Sequence, residues 1–107
     1  MQLFDLNNII TEQVTSDPLY HEFLRVPAMS LGLYILPAHS TDPQQPHNED
    51  EVYYVVSGRG MIEVAGENQS VQSGTIVYVP AHAPHHFHSI TEDLTIVVFF
   101  APAETGD

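Results

Sequence analysis

Eight prolines and six glycines interrupt this chain at short intervals, and the runs between them are rich in Val, Ile, Tyr, Phe and Leu. A helix needs a long window with apolar residues recurring every three to four positions, and no window of adequate length carries that period. A strand needs only four to eight residues and tolerates Pro and Gly at its ends. The pattern therefore predicts an all-β domain. The best strand candidates are residues 29–36, 52–56, 61–64, 74–79, 85–89 and 94–100. Residues 57–60 (Ser-Gly-Arg-Gly) and 65–68 (Ala-Gly-Glu-Asn) are expected to be hairpin turns. Residues 5–20 read equally as a short strand, a helical turn or an arm packed on a neighbour, with at most a helical turn expected near the N-terminus. Residues 102–107 are expected to fray.

The length of 107 residues predicts one core and one domain. Fourteen acidic residues face two arginines and no lysine, for a formal net charge of −12. Affinity for phosphate backbones comes from Lys and Arg, so nucleic acid and anionic membranes are poor partners for this surface. Without cysteine there are no disulfides, thiolate metal sites or Cys nucleophiles. The N-terminal residues lack both a basic start and a long apolar run, so neither a signal peptide nor a membrane span is expected, and the cytoplasm is the default location.

Five of the seven histidines fall in two clusters, PQQPHNEDEVYYVVSG and GTIVYVPAHAPHHFH, each at the edge of a strand run. Separate clusters of His and carboxylate are what a nitrogen and oxygen metal site requires of a β scaffold. In an extended chain Gln45 and His47 point to the same side, about 7 Å apart. His47 and Glu51 would be about 13 Å apart if fully extended, so they share an ion only if the turn-prone Asn48-Glu49-Asp50 folds the chain back. Strand alternation puts His85 with Phe87 on one face and His86 with His88 on the other. The Phe87 face is the expected interior, which favours His85 as the ligand.

These clusters resemble the paired motifs of the cupin superfamily, which read G-x5-H-x-H-x3-4-E-x6-G and G-x5-P-x-G-x2-H-x3-N. His47, Glu51 and Gly58 match the first by spacing, and Gly74, Pro80 and His85 match the second. The motifs and their strands cover roughly residues 29–100, which leaves residues 1–28 as an N-terminal arm. The first His of the His-x-His pair is Gln45 here, and the closing Asn is Ser89. Two motif glycines are His39 and His82, each preceded by Pro-Ala. Gly there would supply positive φ, and His is among the less costly replacements.

The resemblance implies a single cupin domain, a double-stranded β-helix or jelly-roll barrel of the RmlC-like kind. It implies one divalent metal held by His47, Glu51 and His85, with Gln45 as a further oxygen ligand. Two His and one carboxylate leave open positions suited to Fe(II) and O₂ chemistry, with Mn, Ni or Zn as the other metals cupins use. The expected function is a metal-binding cupin with dioxygenase-like activity on a small organic molecule; isomerase or lyase chemistry is the lesser enzymatic reading. A non-enzymatic module that binds or senses a small ligand is the alternative. A homodimer is expected, with residues 94–100 and the N-terminal arm as candidate contacts, because a small barrel has strand edges to protect.

Other residues carry blander readings. The three ligand candidates could be surface polar groups at strand ends, and Gln45 could serve a turn. His39 and His82 read as turn residues, His86 and His88 as outward-facing or at an interface, and His21 as structural. Glu49 and Asp50 read as a solvated acidic loop. Arg25 is either a surface ion pair or a carboxylate-binding group, Arg59 is exposed, and only one of Tyr53 and Tyr54 can face inward.

Overall fold

A computed structural model describes residues 1–13 and 19–105. The elements are α1 (Leu6–Gln13), β1 (Tyr20–Val26), β2 (Met29–Leu36), β3 (Asp50–Val64), β4 (Glu67–Gln72), β5 (Ile76–Val79) and β6 (His85–Ala101). They make an all-β fold with one antiparallel ladder in the order β1-β2-β6-β3-β4, and β5 pairs with β3 off that path.

Two long strands, β3 and β6, organise the domain. The first half of β3 pairs with β5 (Glu51↔Val79, Tyr53↔Val77) and with the second half of β6 (Glu51↔Phe100, Tyr53↔Val98). Its second half pairs with β4 and with the first half of β6 (Met61↔His88, Val64↔His85). Between the halves the register slips three times, at Val55/Ser57, Ser57/Arg59 and Arg59/Met61. Residues 57–60 are thus a bulged bend inside one strand and not the hairpin turn read from the sequence. Gly58 permits the bend with φ of 103°. β6 likewise runs through both of its expected strand segments. The bend wraps the ladder around its own inner face, where Tyr53, Phe87, Leu94, Ile96 and Val98 are almost fully buried. Each such side chain contributes roughly 1.5–3 kcal/mol by leaving water.

The N-terminal region is more regular than expected. Residues 20–26, assigned from the sequence to an arm, form the edge strand β1, which turns tightly into β2 (Val26↔Met29). Residues 6–13 make two helical turns rather than one. Asp5 caps them by accepting the Asn8 amide at 3.3 Å. Leu6, Ile9 and Ile10 share one face, as three- and four-residue spacing dictates, and pack on Leu33 and Val97 outside the sheet. The helix was illegible because eight residues are too few to establish a period. Residues 14–18, part of the segment left open, lie outside the described residues. The second expected hairpin tightens to Ala65-Gly66, and Glu67 and Asn68 already belong to β4.

Residues 102–105 do not fray. The Ser30 hydroxyl accepts the Glu104 amide at 3.0 Å, and Arg25 Nη1 donates to the Glu104 carbonyl at 2.9 Å. Arg25 also pairs with Glu22 at 3.4 Å. Residues 106–107 lie outside the described residues. Among the described residues no helix is long and apolar enough to cross a membrane.

Candidate metal centre

Two copies of one turn deliver the site. Pro37-Ala38-His39-Ser40 and Pro80-Ala81-His82-Ala83 each close with an amide-to-carbonyl bond of 3.1 Å, from Ser40 to Pro37 and from Ala83 to Pro80. His39 and His82 take φ of 66° and 69°, the left-handed values that a type II turn demands of its third residue. An aspartate braces each turn: Asp93 accepts the Ala38 amide at 2.7 Å and Asp50 accepts the Ala81 amide at 2.9 Å. The His82 amide donates to the His47 carbonyl at 2.7 Å. The second turn therefore fixes the His47 backbone and, two residues on, starts β6 with His85. Both imidazoles, at residues 39 and 82, stay exposed.

Glu51, second in β3, and His85, first in β6, point inward, at 1% and 5% exposure. His47 is half-buried, and its ring lies 4.9 Å from Phe100 and 5.7 Å from His85, centroid to centroid. One donor atom from each of His47, Glu51 and His85 lies within 4.8 Å of the others. Glu51 Oε1 is 3.2 Å from His85 Nε2. On the other side of that ring, Nδ1 is 2.9 Å from the Ala83 carbonyl. A carbonyl only accepts, so Nδ1 carries the proton and the neutral ring turns an Nε2 lone pair toward the carboxylate.

Two electron-rich atoms at that distance need a proton or a cation between them. Burial alone would lower the His85 pKa, but the Glu51 carboxylate and the Ala83 carbonyl outweigh it and raise the pKa above the ordinary 6.5. Both Glu51 oxygens, both His47 nitrogens and His85 Nε2 are buried without a hydrogen-bond partner. Native interiors satisfy almost all such groups, so a cluster of five marks a place built for something else. Two imidazoles and a carboxylate fit a divalent first-row metal by donor type.

Gln45 is exposed, so it does not take the inward place read for it; Gln44 does. The reason is Asp42, a buried carboxylate that sequence reasoning missed. It accepts the Tyr34 hydroxyl at 2.6 Å, the Phe87 amide at 2.8 Å, and the Gln44 amide and side chain at 3.1 and 3.0 Å. Gln44 Oε1 in turn accepts the Tyr53 hydroxyl at 2.9 Å. Burial, with the charge of Glu51 next, pushes the Tyr53 phenol well above its ordinary range, so it stays a donor. Residues 42–47 thus form a pinned irregular loop, in which the two-residue alternation assumed for Gln45 and His47 does not hold.

His86 and His88 are half-buried on the opposite face of β6, and His88 Nε2 is 2.6 Å from Asn68 Oδ1. His21 is exposed on β1. Tyr53 is inside and Tyr54 outside, as alternation requires, and Arg59 is exposed beside Glu92 at 3.4 Å. Glu49 is buried at 3% exposure rather than solvated. It forms a second donor group with His47 and Glu104. Beside His47 lies a cavity of about 250 Å³, lined by Tyr20, Gln44, His47, Val98, Phe100 and Glu104.

A model of the cupin domain matches residues 32–101. An uncharacterized protein of Streptomyces coelicolor is 49% identical over 105 residues, covering 98% of this chain and all of the relative. Among solved structures, TT1209 from Thermus thermophilus superposes with a TM-score of 0.76 at 22% identity, covering 96% of this chain and 99% of that one. KdgF from a Halomonas species superposes with a TM-score of 0.70 at 20% identity, covering 78% and 76%. At these identities the two structural likenesses speak to the fold alone.

Proposed function

The chain belongs to the cupin domain family, and from that membership we propose that it is a mononuclear metal-binding cupin acting on a small organic molecule beside His47. The observation that carries the reading is the set of unpartnered buried donors on His47, Glu51 and His85. These three residues would hold one divalent ion, with Fe(II) the first candidate and Mn, Ni or Zn the others. Such an ion, when bound, supplies Lewis acidity and open positions suited to O₂ chemistry. The chain's own residues do the rest. The Ala83 carbonyl fixes the His85 tautomer. The Asp42 network holds Gln44 and Tyr53 in place. Phe100 and Val98 give the cavity an apolar wall that excludes water from one side.

The test is elemental analysis of protein purified without added metal, followed by oxygen-uptake screening. One first-row divalent ion per chain is expected near pH 8. That content should fall between about pH 7 and pH 5, because ligating His must be neutral. The raised His85 pKa lets the proton begin to compete above 6.5. Full metal content retained at pH 5 would contradict this ligand set. Oxygen uptake that depends on both metal and substrate separates an oxygenase from a binding module.

We further propose a homodimer. Tyr54, Ile76, Tyr78 and Phe99 are 37–68% exposed on the outer face of β5, β3 and β6. Val52 pairs with both Tyr78 and Phe99, and Tyr54 with Ile76, so these side chains form one continuous apolar surface. The backbone of residues 95–100 is paired on both sides, so a contact there would be made by side chains. Light scattering should give twice the chain mass at micromolar concentration; a monomer mass would refute it.

A further inference from the structure

The geometry points to a small molecule bearing a protonated amine as the ligand of the cavity beside His47. The inference rests on the metal reading above and adds the charge of the molecule that binds.

Three carboxylates have an oxygen within 4.8 Å of a His47 nitrogen: Glu51 in the group with His85, and Glu49 and Glu104 in a second group. One divalent ion at His47, Glu51 and His85 offsets two of these charges and leaves one negative charge at the cavity. Among the described residues, the cation felt at the Tyr20 hydroxyl is Arg25, which is already engaged by the Glu22 carboxylate and the Glu104 carbonyl. There is no lysine. Arg59 pairs with Glu92 at the bend.

Two orphaned groups show what the cavity asks of a ligand. Glu49 is 97% buried, and its Oε1 has no hydrogen-bond partner. A carboxylate oxygen of Glu49 lies within 4.8 Å of donor atoms on His47 and Glu104, which both line the cavity. A buried carboxylate oxygen without a partner is costly, and a charged N–H donor is the strongest remedy. The Tyr20 hydroxyl, also in the lining, is likewise buried and unpartnered. The rings of Tyr20 and Phe100, 6.3 Å apart and edge to face, border the same space and favour a cation over an anion. A primary ammonium has three N–H donors, enough for both carboxylates and Tyr20. With about 250 Å³ of space, the molecule must be small.

The test uses the full chain, metal-loaded, titrated separately with butylammonium chloride, butanol and sodium butyrate, with protein NMR shifts as readout and metal content measured in every sample. Butylammonium should bind saturably, at least about tenfold more tightly than butanol, and butyrate should not bind. Glu49→Gln should weaken the amine about tenfold and leave one metal ion per chain. Glu104→Gln, in a segment less buried than Glu49, should do the same and keeps the test decisive if the first variant folds poorly. Equal or tighter binding of butyrate, no saturable binding of the amine, unchanged amine affinity in both variants, or a second Mn(II) equivalent taken up by Glu49 and Glu104 would each overturn the proposal. If the protein takes up no metal, the metal reading fails separately. The amine series is then read on the metal-free protein, where the preference for the cation should be stronger.

Discussion

His85→Ala is expected to abolish tight metal binding, with affinity falling by more than about a hundredfold, since even residues that merely orient a ligand cost ten- to a hundredfold. The substitution removes Nε2 and the Ala83-fixed tautomer together, and leaves only His47 and Glu51 on the ion. In metal-free protein it also strips Glu51 of the imidazole that lies 3.2 Å from its Oε1. Glu51 is 1% exposed, and removing one member of a buried pair costs about 3–5 kcal/mol. His47→Ala should lose the metal to a similar extent at smaller cost in stability, because that ring is half-buried at the cavity wall. His86→Ala and His88→Ala should keep full metal content, since both rings lie on the other face of β6. Gln45→Ala should also keep it, because that side chain is exposed. Elemental analysis of the five variants, each checked for fold by circular dichroism, decides the matter. Metal retained by both the His47 and His85 variants, or lost by His86→Ala alone, would defeat the assignment.

Which parts of this site could be read in the sequence follows from the range of the interactions involved. Strand alternation is a property of two adjacent residues, so the inward placing of His85 and Phe87 and the split between Tyr53 and Tyr54 were legible. The left-handed turns were legible as well, because Pro-Ala followed by an αL-tolerant residue is a local signal, and His39 and His82 adopt it. The bend at residues 57–60 was misread for a related reason. Ser-Gly-Arg-Gly suits a hairpin and a bulge equally, and only the partner strand decides which forms. That partner is β6, paired with β3 on both sides of the bend.

Residues tied by long-range contacts were not legible. Asp42 sits in Thr-Asp-Pro, ordinary loop chemistry, yet it is held by an amide 45 positions away at Phe87. Its hold on Gln44 is what moves the inward glutamine by one position from Gln45. Glu49 looked solvated because Asn48-Glu49-Asp50 is uniformly polar. Its burial depends on Glu104, at the far end of the chain and strapped there by Ser30 and Arg25. No local pattern in 102–107 announces that strap.

Gly58→Ala is expected to destabilise the domain by about 3 kcal/mol or more, lowering the melting temperature by roughly 12 °C. Two costs combine. The φ of 103° lies where a side chain is strained, at about 1–2 kcal/mol. A Cβ at this position would also sit 2.2 Å from the Asp93 carbonyl oxygen and 2.8 Å from the Leu94 Cα. Those are backbone atoms of β6 and cannot rotate away, so the long strands must separate at the bend. Gly66→Ala isolates the first cost. Gly66 has φ of 88° in the β3–β4 turn, and an added Cβ there meets nothing within 4 Å. Its expected loss is about 1 kcal/mol. The gap of about 2 kcal/mol between the two variants, read by thermal and denaturant unfolding, measures the close approach of β3 to β6. That approach is what folds one ladder over its own inner face and brings the start of β3, with Glu51, against the start of β6, with His85. Equal losses at the two glycines would mean that β6 yields at Asp93 without penalty, and the bend could then not be what sets the 3.2 Å approach of Glu51 to His85.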